Sequence, residues 1–176
     1  MTKGLNVKGL CKQMKSEKYC LIWSLKNGVH TITNRKWLID FESIPREVKL
    51  MLLSIFGEEP DENVCLTKFH YSDEPAVGVA VPGARDIVKN AIPAKKTNYL
   101  LAYEGIGNLR IFKTDEHFVH VQERYLQAVD DNQGYQNIGS VGPMSPLHFE
   151  DINYIVLPVR IPNTEDLLTL KELTNE

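Results

Sequence analysis

The reactive side chains of this 176-residue chain are five histidines, three cysteines and scattered carboxylates. His117 and His120 stand three residues apart, upstream of the acidic pair Asp130-Asp131. Two imidazoles on one face with a carboxylate would be the core of a metal-dependent hydrolase. The stretch from Leu109 to Val121 reads extended, which turns the two rings to opposite faces. Asp130-Asp131 ends a short helical run and reads as solvated. His30, His70 and His148 have no Ser or Cys partner that would supply a nucleophile beside a base. Gly105-x-Gly107 lacks the third glycine and following helix of a dinucleotide loop. The expectation is a non-catalytic protein without metal or cofactor. A hydrolase using His117, His120 and Asp131 is the weakest alternative.

Cys11, Cys20 and Cys65 are odd in number and never spaced as Cys-x-x-Cys. They read as reduced thiols of a cytoplasmic protein rather than a disulfide frame or zinc site. Met1-Thr2-Lys3-Gly4 lacks the apolar core of a signal peptide. No apolar run approaches the roughly 20 residues needed to cross a bilayer, so no membrane partner is expected.

The formal charge is −3, which excludes a uniformly basic nucleic-acid coat. The charge is unevenly spread, however. Residues 1–18 carry Lys3, Lys8, Lys12, Lys15 and Lys18 against Glu17 alone, whereas residues 161–176 carry Glu165, Asp166, Glu172 and Glu176 against Lys171 alone. Local field rather than net charge attracts phosphate, so one basic face suffices to meet DNA.

The elements that position these groups follow from periodicity. Val7, Leu10, Cys11 and Met14 predict a helix within Asn6 to Glu17, with Lys8, Lys12 and Lys15 on one face. Tyr19 to Leu25 predicts a strand, Lys26-Asn27-Gly28 a hairpin turn, and Val29 to Asp40 a continuing extended run. Ser43 as cap, Pro45 inside the first turn, Val48, Leu52 and Ile55, and a closing Gly57 predict a second helix. Glu58 to Asn63 reads as a polar loop. Val77 to Val81 predicts a short strand and Ala84 to Ala91 a short helix. Tyr99 to Tyr103, Leu109 to Phe112 and Phe118 to Val121 predict further strands, and Glu123 to Asp130 a short helix. Tyr19/Tyr99 and Leu21/Leu101 match at one offset, and strand, turn, strand, helix recurs in both halves. The expected organisation is a first unit at residues 1–75, a connecting segment at 76–97, a second unit at 98–162 and a tail helix at 163–176. Leu167, Leu168, Leu170 and Leu173 make that tail amphipathic.

Three stretches carry a family resemblance. The first is Val119-His120-Val121-Gln122-Glu123-Arg124-Tyr125-Leu126-Gln127-Ala128-Val129, a strand running into a Tyr-Leu helix. The second is Gly142-Pro143-Met144-Ser145-Pro146. The third is the alternating run Ile152 to Arg160, ending Leu157-Pro158-Val159-Arg160. In this order and spacing, over residues 118–161, they resemble the last domain of the bacterial DNA polymerase III β subunit, the replication sliding clamp. The resemblance implies an α+β, sliding-clamp-like fold of two related strand-and-helix units, with antiparallel sheets outside and helices on one face. It implies a partner-peptide pocket at Ile155, Leu157, Pro158, Val159 and Arg160. It also implies that Lys8, Lys12, Lys15, Arg46, Lys49 and Arg124 face DNA. Period-2 geometry places Ile155, Leu157 and Val159 on one side of the last strand, and Pro158 favours an edge. Two departures stand out. Bacterial clamp subunits have three domains and about twice this length, and they stop almost directly after the Arg, whereas sixteen residues follow Arg160 here.

The functional expectation is a non-catalytic, sliding-clamp-like docking or processivity platform in DNA replication or repair. Its partners would be the DNA backbone, held without sequence preference, and a replication or nuclease protein, with the chain as a homo-oligomer. The alternative is a clamp-fold adaptor or inhibitor of phage or plasmid type that binds one nucleic-acid-processing protein without encircling DNA.

Overall fold

The computed structural model describes residues 3–160 and Glu172; the expected tail helix therefore lies outside the described residues, Glu172 excepted. Helix α1 spans Val7–Lys15. The Asn6 side-chain oxygen caps it by accepting from the Gly9 amide at 2.9 Å, which satisfies one of the orphan donors of the first turn. Leu10, Gln13 and Met14 turn inward, and Lys8, Lys12 and Lys15 are exposed on the opposite side.

Strands β1 (Cys20–Lys26) and β2 (Val29–Thr33) follow. Asn27 and Gly28 join them with φ of 53° and 73°. Positive φ at both positions gives the turn the twist of its flanking strands, and the Asn-Gly hairpin forms where expected. The extended run expected to reach Asp40 is instead broken: the chain reverses after Thr33 into β3 (Trp37–Phe41). Neither Gly nor Pro marks this reversal. Arg35 adopts a φ of 71°, and Asn34 Oδ1 accepts from the amides of Lys36 at 2.8 Å and Trp37 at 2.9 Å. An Asx-type loop thus stands in for the missing glycine.

Helix α2 is Arg46–Phe56. Pro45, not Ser43, occupies its cap position, without a side-chain hydrogen bond; its fixed φ suits the helix entry and it has no donor to leave unpaired. Val48, Leu52 and Phe56 are buried, and Gly57, at a φ of 83°, ends the helix. The chain then forms β4 (Val64–Phe69), β5 (Ala76–Val79), the one-turn helix α3 (Ala84–Ile87) and β6 (Ile92–Pro93). A meander of β7 (Lys95–Tyr103), β8 (Gly107–Lys113) and β9 (Phe118–Gln122) comes next. The helix expected over Glu123 to Asp130 is only a 3-10 turn at Glu123–Leu126. Its continuation is claimed by the N-terminal segment, where the Asn6 amide donates to the Ala128 carbonyl at 2.9 Å and the Asp130 amide to that of Gly4 at 2.8 Å. Short strands β10 (Ile138–Ser140), β11 (Leu147–Phe149) and β12 (Tyr154–Val156) complete the described chain.

The result is a mixed α+β fold with large antiparallel sheets and few helices. Nine strands form one sheet in the order β5-β4-β1-β2-β3-β12-β11-β10-β6, and β7-β8-β9 form a second. Strand β12 is interior to the large sheet: Ile155 pairs with Leu38 of β3 on one side and His148 of β11 on the other. The edge position expected for the terminal strand is thereby corrected, because β3 offers an open edge that only β12 fills.

Helices α1 and α2 cover one face of the large sheet, placing Leu10, Met14, Val48, Leu52 and Phe56 against Trp23, Ile32, Ile39 and Leu66. Phe112, Val119 and Val121 bring the inner face of the second sheet into the same core. Phe112 meets Phe149 edge-on, with ring centroids 6.1 Å apart. Helix α3 lies on the other face, where Ala84 and Val88 cover Leu38 and Ile155. The helices therefore do not all share one face, as alternation along β3 requires: Leu38 and Ile39 point opposite ways.

Candidate functional site

Where α1 ends, the chain must turn sharply into β1, and the Ser16 amide closes the helix on the Lys12 carbonyl at 3.1 Å. Glu17 and Lys18 lie on that turn. They form one wall of a cleft of about 530 Å³ whose other walls are the β2–β3 reversal, the end of β9 and the β7–β8 turn. Arg35 and Lys36 project from the reversal and are exposed. Thr33 Oγ1 accepts from the Arg35 amide at 2.9 Å, so the loop that carries the two cations is tied to β2.

Arg124 enters the cleft from the 3-10 turn. Its Nε donates to Gln122 Oε1 at 2.7 Å and one terminal nitrogen donates to the Tyr125 hydroxyl at 2.9 Å. The guanidinium carbon also stands 4.8 Å from the Tyr125 ring centroid. The group is thus oriented by neutral partners, its full charge intact. Among the described residues, Lys18, Arg35, Lys36 and Arg124 enter no salt bridge. Among the described residues Glu17 is the one carboxylate lining the cleft, and its Oε1 accepts from Trp37 Nε1 at 3.4 Å. Four exposed cations around one concave site with a single described carboxylate give a locally positive potential. Arginine held in a fixed fork is suited to phosphate oxygens.

A second, apolar hollow of about 450 Å³ shares Glu17, Tyr19 and Cys20 with the cleft. Met14, Leu21, Met51, Ile55 and Phe69 line it, with Lys15, Lys68 and His70. Lys15, on the outward lysine face of α1, thus lines the hollow next to the cleft.

Of the residues expected to face DNA, Lys8, Lys12 and Lys15 are exposed on α1, and Arg46 is exposed at the start of α2. Lys49 is instead paired with Glu59 at 2.7 Å, which removes most of its outward field. Arg124 lies in the cleft. Sequence reasoning passed over Arg35 and Lys36 because their convergence with Lys18 and Arg124 is tertiary. The one local signal was Asn34, an Asx-turn residue, three positions before a buried Trp37.

The residues expected to form a peptide pocket are dispersed. Ile155, 2% exposed, belongs to the small core under α3. Beyond β12, the Leu157 amide donates to the Lys36 carbonyl at 2.8 Å and the Val159 amide to that of His120 at 2.7 Å. Pro158, with no donor, falls between these two bonds. Leu157 and Arg160 are exposed, and Val159 is half-buried. This segment bridges the β2–β3 reversal and β9.

The hydrolase residues are not brought together. His117 belongs to a tight turn in which its Nδ1 lies 3.1 Å from Thr114 Oγ1, His120 is buried in β9, and Asp131 pairs with Lys96 at 3.5 Å. Among the described residues no three His, Cys, Asp or Glu side chains form a group able to hold a metal. Asp40 has a structural role: its carboxylate accepts from Thr31 Oγ1 at 2.7 Å and from the Ala84 amide at 2.6 Å, capping α3. Burial still raises its pKa, outweighing those two hydrogen bonds.

Compared with family models, with curated proteins and with solved structures, the chain matches none. The fold and site define a mixed α+β protein of antiparallel sheets with a cationic cleft. Among the described residues no helix is long and apolar enough to cross a membrane.

Proposed function

We propose that this protein is a non-catalytic, sliding-clamp-like platform that holds the nucleic-acid backbone without reading its sequence, beside replication or repair proteins. The observation that carries the reading is the cleft lined by Lys18, Arg35, Lys36 and Arg124, which enter no salt bridge among the described residues, beside the hollow that Lys15 of α1 lines. Charges without carboxylate partners are those that release counterions when they meet phosphate. The clamp-like motifs between residues 118 and 161 add the expectation of a partner-docking role. The test is the affinity for a labelled mixed-sequence duplex and its scrambled counterpart across a salt series. Equal affinities that fall steeply with salt support the reading; no binding at low salt overturns it. Retention on closed circular DNA, with release from linear DNA, distinguishes a ring from an open platform.

A second reading, an adaptor that binds a nucleic-acid-processing protein, is favoured by β5. This edge strand of the large sheet is exposed along its length, with Val77 at 74% and Val79 at 85%. No charged residue stands between Pro75 and Gly83. Uncharged apolar edges are what strand addition by another chain requires.

A further inference from the structure

Strand β5 turns its outer backbone groups outward in a pattern that a second copy of the same strand completes. The His70 amide donates to the Tyr19 carbonyl at 3.0 Å, so even-numbered residues of β4 bond to β1 and odd-numbered ones turn to β5. Cys65 and Thr67 therefore bond to Gly78 and Ala76, which stand opposite them. The Ala80 amide, donating to the Asn63 carbonyl at 3.1 Å, continues the same alternation. Val77 and Val79 are left with their amides and carbonyls pointing out of the sheet. Among the described residues β5 ends the large sheet, and both valine side chains are exposed.

Residues 76–80 read Ala-Val-Gly-Val-Ala, the same in both directions. An antiparallel copy placed about a two-fold axis through Gly78 sets Val77 opposite Val79 of the second copy, and Val79 opposite its Val77. These are the residues whose backbone groups point outward, so each couple closes as a hydrogen-bonded pair. An axis through Val77 would instead set Val79 against Pro75, which has no donor. An axis through Val79 would set Val77 against Val81, whose amide already donates to Ser24 Oγ at 3.1 Å. Gly78 meets its own copy in the non-hydrogen-bonded position, where Cα atoms approach to about 4.5 Å and the missing side chain leaves room. A two-fold axis sets every charge near its like, and residues 76–82 carry none. Pro75 and Pro82 frame the window and keep the ladder from lengthening. At the opposite edge of the sheet, β6 has two residues and ends in Pro93, a blunted edge that β5 does not share.

We propose that β5 pairs antiparallel with β5 of a second copy of this chain, about a two-fold axis through Gly78, joining two nine-stranded sheets into one. Val77 stands opposite Leu66, a core residue under α1 and α2, so Val77 and Val79 of both copies gather on the helix-covered side. The axis is perpendicular to the sheet, and the exposed lysines of both α1 helices therefore face the same way. The contact is isologous: it closes at two chains and adds no third. It shares with the adaptor reading only the exposure of β5, and it does not depend on nucleic-acid binding.

Two measurements on the full chain test it. A strand this short makes a small contact, at the weak end of specific interfaces, so sedimentation from about 1 µM to about 1 mM should show the mass rise from one chain to two and stop. Val77→Pro removes an outward amide and spares the bonds to β4; it should lower the association constant about tenfold or more. The second measurement reads the register. Val77 and Val79 of the second copy would have Cα atoms about 5.5 Å apart, within reach of a disulfide. A mixture of Val77→Cys and Val79→Cys chains, mildly oxidised, should therefore join position 77 of one to position 79 of the other, as located by peptide mass spectrometry. Masses beyond two chains, unchanged association of Val77→Pro, or links that favour either variant with itself overturn the proposal. A chain that stays single throughout also overturns it, and leaves the edge free for a partner protein as the adaptor reading requires. Should Val77→Pro unfold, the register of the disulfide decides.

Discussion

The Gln13 carboxamide on α1 and the Tyr154 hydroxyl on β12 lie 2.9 Å apart in full burial. The same hydroxyl donates to the Tyr125 carbonyl at 2.6 Å, so one oxygen links the first helix, the 3-10 turn and the last strand. Burial raises the Tyr154 pKa well above the ordinary phenol value, which keeps the hydroxyl a neutral donor. Tyr154→Phe leaves the carbonyl and the carboxamide short of a partner. It should cost about 1–3 kcal/mol in urea unfolding, with an unchanged dependence on denaturant. An unchanged midpoint would show that water replaces the hydroxyl.

Gly9 gives a second test of the same junction. A Cβ there would stand 1.7 Å from the Gln127 carbonyl oxygen, so α1 rests directly on the segment after the 3-10 turn. In an open helix Gly→Ala stabilises by about 1 kcal/mol. Here Gly9→Ala should destabilise by about 1–3 kcal/mol, because the backbone has to move apart. The sign of the change in thermal midpoint is the measurement.

Arg35 separates binding from stability. Its φ of 71° is costly for a residue with a Cβ, so Arg35→Gly should stabilise the fold by about 0.5–1 kcal/mol. The same substitution should weaken duplex binding and reduce the slope of log affinity against log salt by about one. A slope that stays the same would remove Arg35 from the interface.

His148 sets a pH dependence. It stands on β11 beside Ile155, and burial lowers its pKa from 6.5, outweighing the opposing pull of Glu150 and Asp40. His30 is lowered in the same way, again chiefly by burial. A depressed imidazole pKa means that the unfolded chain takes up the proton first, so stability is lost as pH falls below 6.5 towards the folded values. Urea midpoints at about pH 7.5 and about pH 5.5 should therefore differ, and His148→Gln should narrow the difference. Asp40, raised by burial from 3.8, acts with the opposite sign lower on the scale: its ionisation costs stability, which acid restores.

The β5 edge predicts association. Val77→Lys places a charge on an exposed strand and leaves the core untouched. It should lower concentration-dependent self-association, or capture of a partner protein, without shifting the thermal midpoint. Equal sedimentation of both forms across a concentration series would take β5 out of any interface.

Much of the first half could be read directly. Asn27-Gly28 announced its hairpin because that turn needs positive φ twice. Val48, Leu52 and Gly57 marked α2 because a buried stripe and a left-handed stop are local properties. The β2–β3 reversal was hidden because Arg35 takes the left-handed conformation without a glycine, and its stabilising bonds come from Asn34. The second half was harder, as β10, β11 and β12 have three residues each, too few to show a period. Pro158 suggested an edge, but it stands just past β12, where its missing donor costs nothing. Arg124 was named from its neighbours in sequence. Arg35 and Lys36 join it only through the reversal, so the cleft itself was not legible.

The pairing of Ile39 with Tyr154 has a consequence for biosynthesis. Strand β3 leaves the ribosome long before β12 exists, and until then the middle of the large sheet is an open seam with Trp37 and Ile39 beside it. The sheet therefore cannot zip up in the order of translation. It closes last at its centre, when the C-terminal strand arrives, so truncated nascent chains should be the species that chaperones retain.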